Sequence, residues 1–372
     1  MYPYMNLSSI QYIRAIAALL VVFYHSTVFV SRMFGDAALF DTFGGYPGSL
    51  GVVAFFVISG YLMADIAPKY NASTFLTHRV IRIYPAYLFC VILAGVYFWI
   101  LWLALKPDAA FIPNFKSMLL TSADPLALLR LTLVPMVFRD YPLGIEWTLL
   151  YETTFYVIIF AVSLVGAIKY LLPLALGWLG LLAGVMVFHP VTQIGYTSPS
   201  IITVLLFGIN SAFIFGIVGR HIQPWVKPYP AFLLGVLLLA PMGAFPHPYT
   251  MIQLCAGTAS LVLGLIALDR DGRLPEVPLL RTLGDWSYVL YLIHVPVIIG
   301  LFKVMDAPAV VLVAVSIVGS VLVSSLLGWL DIAAYRFLKG ITDRYTAVHK
   351  VFAGSFVAMF LAAGVIGLRL QG

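Results

Sequence analysis

Charged side chains are scarce in this sequence. Only 10% of the 372 residues are Asp, Glu, Lys or Arg, whereas about a quarter are charged in ordinary soluble domains. Hydrophobic residues supply 62% of the chain, and apolar stretches of about 17 to 25 residues recur from one end to the other. This pattern excludes a soluble globular protein and a soluble unit with a single membrane anchor.

Cysteine and acidic residues are also few. The two cysteines, Cys90 and Cys255, both lie inside apolar runs, where a disulfide would have no soluble loop to hold. The chain has a net charge of +6, but most Lys and Arg residues stand between apolar runs, as membrane topology requires. The sequence therefore predicts no nucleic-acid partner, and membrane lipids are the expected surroundings.

The apolar runs predict an all-α fold, a polytopic transmembrane bundle of ten or eleven helices. No Lys or Arg precedes Arg14 and no small-residue cleavage pattern follows the first run, so we expect a retained helix and not a signal peptide. The stretch 107–144 is predicted to be interfacial or re-entrant. The predicted spans are 8–30, 49–66, 84–105, 145–166, 170–188, 201–219, 230–244, 249–268, 287–305, 308–330 and 350–369.

The distribution of Lys and Arg predicts the orientation. Loops after even-numbered spans carry roughly twice as many of them as loops after odd-numbered spans. The positive-inside rule then predicts a cytoplasmic N-terminus and, with eleven spans, an external C-terminus. Residues 1–340 are predicted to form one transmembrane domain, and residues 341–372 an additional C-terminal transmembrane helix.

Four ionisable residues stand out within the predicted spans, because a charge at the helix centre costs at least about 2.5–3.5 kcal/mol. Arg14 and His25 are eleven residues apart, which leaves them about 20° apart around one helix and about 16 Å apart along it. Glu152 is predicted at nearly the depth of His25, so it could orient that imidazole if the helices are neighbours. A packed, hydrogen-bonded histidine is the competing interpretation. For His294, beside Pro296, catalysis and helix packing both stay open.

Two arginines, Arg79 and Arg82, precede the third predicted span. A spacing of three places them on one side of a helical turn, where they could bind phosphates bidentately. The positively charged flank of a membrane span is the more common explanation for such a pair. Farther upstream, Gly51, Ser59 and Gly60 favour close packing of helices.

These segments resemble the integral-membrane acyltransferase 3 family, whose bacterial members acylate exopolysaccharides, O-antigens and Nod factors. The resemblance covers roughly residues 7 to 340 and rests first on SSIQYIRAIAALLVVFYH, where Arg14 and His25 fit the family's pattern of Arg, ten residues and His. Family members often carry Asp where this chain has Gln11 and Val53, and the opening is most similar to the exopolysaccharide branch. The supporting segments are FFVISGYL, RVIRIYP, EWTLLYETTFY and LGDWSYVLYLIH.

The resemblance implies transfer of an acyl group, usually acetyl, from cytoplasmic acyl-CoA to a sugar hydroxyl. The acceptor would be a cell-surface or lipid-linked glycan, and the enzyme would lie in the bacterial inner membrane. Arg14, Arg79 and Arg82 would bind the donor, for which acetyl-CoA is the expected identity. No metal is expected.

The resemblance also implies catalytic roles. His25 would be a general base for the acceptor hydroxyl, or would carry the acyl group as a transient acyl-imidazole, and Glu152 would fix its tautomer. His294, Tyr151 and Ser59 are further candidate contacts for the substrate.

Two other classes of function fit a membrane bundle with buried charges. In a transporter or flippase, buried Arg, His and Glu could form a proton relay or an anion path. Transporters commonly consist of two related halves, and no correspondence is apparent between the spans before and after residue 190. In a signalling or scaffold protein, the buried charged residues would have no function.

Overall fold

The chain is described by a computed structural model that covers residues 7–105, 129–135, 141–188, 200–241 and 249–369. Within these ranges all repetitive structure is helical, which confirms the predicted all-α fold. Most of the predicted interfacial segment 107–144 lies outside the described residues. The predicted orientation and domain boundary remain predictions.

Thirteen α-helices make up the described part of the chain, with single 3₁₀ turns between some of them. They are α1 (Ser8–Phe34), α2 (Ala38–Phe43), α3 (Tyr46–Ile66), α4 (Ala72–Leu105), α5 (Glu146–Leu164), α6 (Leu171–Phe188), α7 (Ile201–Leu206), α8 (Asn210–Ile222), α9 (Pro228–Leu239), α10 (Thr250–Arg270), α11 (Pro278–Val304), α12 (Ala309–Arg344) and α13 (Thr346–Arg369).

Nine helices of the described ranges are long and apolar enough to cross a bilayer, namely α1, α3, α4, α5, α6, α10, α11, α12 and α13. Large apolar side chains also cover the outside of the bundle, as Leu326 and Trp329 on α12 illustrate. In water such a surface would be unfavourable, whereas hydrocarbon solvates it and the helices satisfy their own backbone groups. The predicted polytopic membrane fold is confirmed.

Two predicted spans, 201–219 and 230–244, differ from the structure. The first is broken at Phe207–Ile209 into α7 and α8, and the side-chain amide of Asn210 donates to the carbonyl of Val204 at 2.6 Å across the break. The second becomes the twelve-residue helix α9, which packs against α10. Hydropathy registers apolar length but not a change of backbone direction, so the sequence overestimated the number of full-length spans in the described ranges.

The centre of the bundle is built on α3, which packs against α1, α8 and α10. Glycine makes these contacts close: a methyl group on Gly60 would overlap the carbonyl of Phe213 on α8, and one on Gly51 would overlap the carbonyl of Ala17 on α1. Small residues allow such backbone-to-backbone packing in membranes, where dispersion contacts drive helix association. The predicted packing role of Gly51 and Gly60 is confirmed.

We expect Gly60→Ala to lower the stability of the bundle by about 1–3 kcal/mol, because α3 and α8 must move apart to admit the methyl group. Thermal unfolding of the purified protein in detergent measures this change. Gly177→Ala on α6 is the matched control, since nothing lies within 4 Å of the added carbon. Equal midpoints for the two variants would contradict the packing assignment.

Candidate active site

A cavity of about 160 Å³ lies between α1, α3, α4, α5 and α11. Its walls are mostly apolar, with Phe55, Phe56 and Leu62 of α3 on one side. The charged residues of its lining are four that the sequence singled out, although they are far apart along the chain. They are Arg14, Arg79, Arg82 and Glu152.

The arginine pair of α4 lies farther inside the bundle than the sequence predicted. The helix begins at Ala72, and the side chain of Asn71 accepts from the backbone N–H of Thr74 at 2.9 Å, as an N-cap does. The third span therefore starts well before residue 84, and Arg79 and Arg82 stand within it. Their spacing of three directs both side chains into the cavity. Arginines that served only as the positively charged flank of a membrane span would not need to point there.

One of these arginines is neutralised by an acidic residue of another helix. Arg82 donates from Nη1 to the Asp331 carboxylate of α12 at 2.7 Å, and its guanidinium lies 5.2 Å from the ring centre of Tyr288 and 5.5 Å from that of Tyr335. The Asp331 side chain is only 7% exposed. Sequence reasoning missed Asp331 because the predicted span ended at residue 330, whereas the helix continues to Arg344.

The other two arginines keep unused donors. Arg79 makes no hydrogen bond or ion pair with any described residue, and its Nε atom is buried. Among the described residues, Arg14 makes only a long hydrogen bond of 3.4 Å, to the side chain of Gln11. Buried donors without partners are costly, and charge-assisted bonds to an anion would satisfy them.

The fourth charged group of the cavity is Glu152. Its carboxylate accepts a hydrogen bond from Tyr156 one turn later on α5 and lies within Coulombic range of the three arginines. The lining itself holds three guanidinium groups and one carboxylate, and Asp285 of α11 lies within Coulombic range of Arg14. The cavity therefore has an excess of positive charge and suits an anionic ligand. The spacing of four between Glu152 and Tyr156 was the signal that could have identified the tyrosine.

The imidazole of His25 contacts a second histidine. Nδ1 of His25 lies 3.0 Å from the carbonyl of Val21 and 3.2 Å from Nε2 of His294, whose Nδ1 lies 2.7 Å from the carbonyl of Tyr291. Carbonyl oxygens only accept, so each neutral ring carries its proton on Nδ1, and Nε2 of His294 accepts from His25. Nε2 of His25 is left unprotonated and without a partner among the described residues, as a general base requires.

The predicted contact between Glu152 and His25 is wrong. Glu152 bonds Tyr156 instead, and the neighbour of His25 is His294, because α1 packs along α11 and not along α5. Equal depth in the bilayer does not determine which helices are adjacent. For His294 the sequence left catalysis and packing open, and the structure places it fully buried against His25.

The cationic cavity and the histidine pair are separate but connected. His25 does not line the cavity, since it lies eleven residues beyond Arg14 on α1. Tyr291 of α11 joins the two parts: it lines the cavity, its hydroxyl is 2.7 Å from that of Thr148, and its carbonyl bonds His294. The site thus extends along the α1–α11 interface from a cluster of cations to an imidazole.

The two remaining predicted substrate contacts, Ser59 and Tyr151, lie in different surroundings. Ser59 lines the cavity, and its buried hydroxyl has no described partner. Tyr151 does not line it; the ring is fully buried against those of Phe56 and Trp147. Consecutive residues of a helix point about 100° apart, so Tyr151 packs in the core while Glu152 faces the cavity.

Comparison with known proteins identifies the fold family. The family described as "Acyltransferase domain" matches residues 7–329. The exopolysaccharide production protein ExoZ of Rhizobium meliloti (strain 1021) is 30% identical over 322 residues, which cover 82% of this chain and 93% of that protein. No solved structure matches. The chain therefore belongs to the integral-membrane acyltransferase 3 family, the one its first helix resembles.

Proposed function

We propose that this protein transfers an acyl group, typically acetyl, from cytoplasmic acyl-CoA to a hydroxyl group of an exopolysaccharide or its lipid-linked precursor. The family supplies the reaction class, and the name of the Rhizobium relative suggests the acceptor. The observation that carries the donor assignment is the cavity in which Arg14 and Arg79 form no salt bridge with any described residue.

The cavity fits the phosphate-bearing part of acyl-CoA. Arginine binds phosphate oxygens through a planar fork of N–H donors, and those of Arg79 are unused. The apolar wall of α3 suits the pantetheine arm, with the Ser59 hydroxyl as a hydrogen-bond partner. From there the arm would follow the α1–α11 interface, which brings the thioester to His25.

The histidine pair would perform the chemistry. As the acceptor oxygen attacks the thioester carbonyl, Nε2 of His25 takes the hydroxyl proton; the carbon–sulfur bond then breaks, and the imidazolium returns the proton to the thiolate of CoA. The carbonyl of Val21 and Nε2 of His294 accept from Nδ1 of His25 and stabilise the positive charge. His294 thus takes the orienting role first expected of Glu152. An acyl-imidazole on His25 is the alternative course.

Substitution of His25 tests the catalytic assignment. We expect His25→Ala to lower acylation of the glycan by about 10²–10⁴-fold, the usual contribution of a general base, with acetyl-CoA binding retained. His221→Ala is the matched control, because His221 is exposed and bonds only a carbonyl of its own helix. Mass spectrometry of surface glycan from cells carrying each variant, or lacking the protein, measures the outcome. Undiminished acylation by His25→Ala would reject the assignment.

Substitution of Arg79 tests the donor site. We expect Arg79→Gln to weaken acetyl-CoA binding about tenfold or more, since a hydrogen bond to a charged group is worth about 1.5–3 kcal/mol. Calorimetric titration of the purified protein measures the Kd. The exposed Arg281 provides the control Arg281→Gln. A wild-type protein that binds no acyl-CoA would favour the transporter class, since a carrier has no need of this donor.

A further inference from the structure

A second cluster of chemically active side chains lies away from the cavity. His78 of α4, Asp343 near the end of α12 and His349 near the start of α13 meet at one end of the bundle. Their ligand atoms all lie within 4.8 Å of one another. The hydroxyl of Thr77 also donates to the carbonyl of His349 at 3.4 Å, so α4 and α13 are in contact here.

The three side chains converge on one oxygen. Nε2 of His78 lies 2.7 Å from Oδ1 of Asp343, and Nε2 of His349 lies 3.9 Å from the same atom. The second distance is too long for a hydrogen bond. Ligand atoms around a tetrahedral Zn²⁺ ion stand about 3.3 Å apart, given metal–ligand bonds of about 2.0–2.2 Å. Both observed distances are within about 0.6 Å of that value.

Burial favours a ligand at this point. His78 and His349 are 2% and 4% exposed, and the Nδ1 atom of His349 has no partner in the part of the chain that the structure describes. The Asp343 side chain is 42% exposed, so the cluster opens to the surface and its carboxylate can shift to close the geometry. Two neutral imidazoles and a carboxylate are a donor set that zinc and related divalent ions prefer.

The surroundings of Asp343 are compatible with a bound metal ion, although they include one positively charged side chain. Lys339 donates to Oδ2 at 2.6 Å and leaves Oδ1 directed at the histidines. An ammonium group near a metal weakens binding by repulsion, but a donor on the outer carboxylate oxygen also fixes the orientation of a ligating carboxylate.

We propose that His78, Asp343 and His349 bind one divalent transition-metal ion, with Zn²⁺ the best match, and that water completes the coordination. The sequence had predicted no metal. Asp343 and His349 lie beyond the family match, which ends at residue 329. The ion would fasten the start of α13 to α4, next to Arg79 of the cationic cavity.

Zinc titration of the purified full-length protein tests this site. The protein is prepared in detergent without a polyhistidine tag, stripped with chelator and titrated with Zn²⁺ alone. We expect one zinc per chain that survives gel filtration, and a thermal unfolding midpoint that rises with free Zn²⁺ because the ion binds the folded state.

Two ligand variants and one control test the assignment of the ligands. His349→Gln and Asp343→Asn keep the size of the side chain and should each lose the zinc and its thermal shift, while His221→Ala should bind as the wild type does. Wild-type protein that retains no zinc, or retention of the metal by both ligand variants, would overturn the proposal. Near-wild-type unfolding of the metal-free variants shows that the loss is not a failure to fold.

Discussion

The ion pair between Arg82 and Asp331 is the contact on which the organisation of the cavity depends. A guanidinium inside an apolar bundle is costly unless a carboxylate or a ligand accepts from it. Arg82 satisfies this requirement with Asp331 and joins α4 to α12. Arg79, one turn earlier on α4, forms no ion pair with any described residue. The same helix therefore presents one structural cation and one that is available to bind.

In the proposed mechanism, the two halves of the site divide the work of acyl transfer along a helix interface. Cations on α1 and α4 would supply binding energy for an anionic donor, and the histidines of α1 and α11 would supply a base about three turns of helix away. This arrangement would hold the phosphates away from the reacting carbonyl, because their charge would oppose the negative charge that develops during attack. Tyr291, which belongs to both halves, fixes their relative position.

The sequence predicted which residues form the site better than it predicted which residues contact each other. Apolar runs identified the membrane bundle, and the cost of charge in hydrocarbon identified Arg14, His25 and Glu152. Helical spacing correctly placed Arg79 and Arg82 on one face. Spacing and hydropathy specify a depth and a face within one helix, but not which helix packs beside it. For that reason Glu152 was assigned to His25 in place of His294, and the break after Leu206 was not anticipated.

The glycine contact between α3 and α8 has a consequence for donor size. Ser59 lines the cavity and Gly60 follows it directly, with the backbone of α8 behind the glycine. Two backbones already in contact cannot recede, so this wall is rigid. A bulkier carrier group on the donor would have to find its room on the α5 side, where Tyr156 is a large side chain that a smaller one can replace. Selectivity for the carrier part of the donor would then reside in α5, whereas selectivity for the acyl group would be set separately, beside His25.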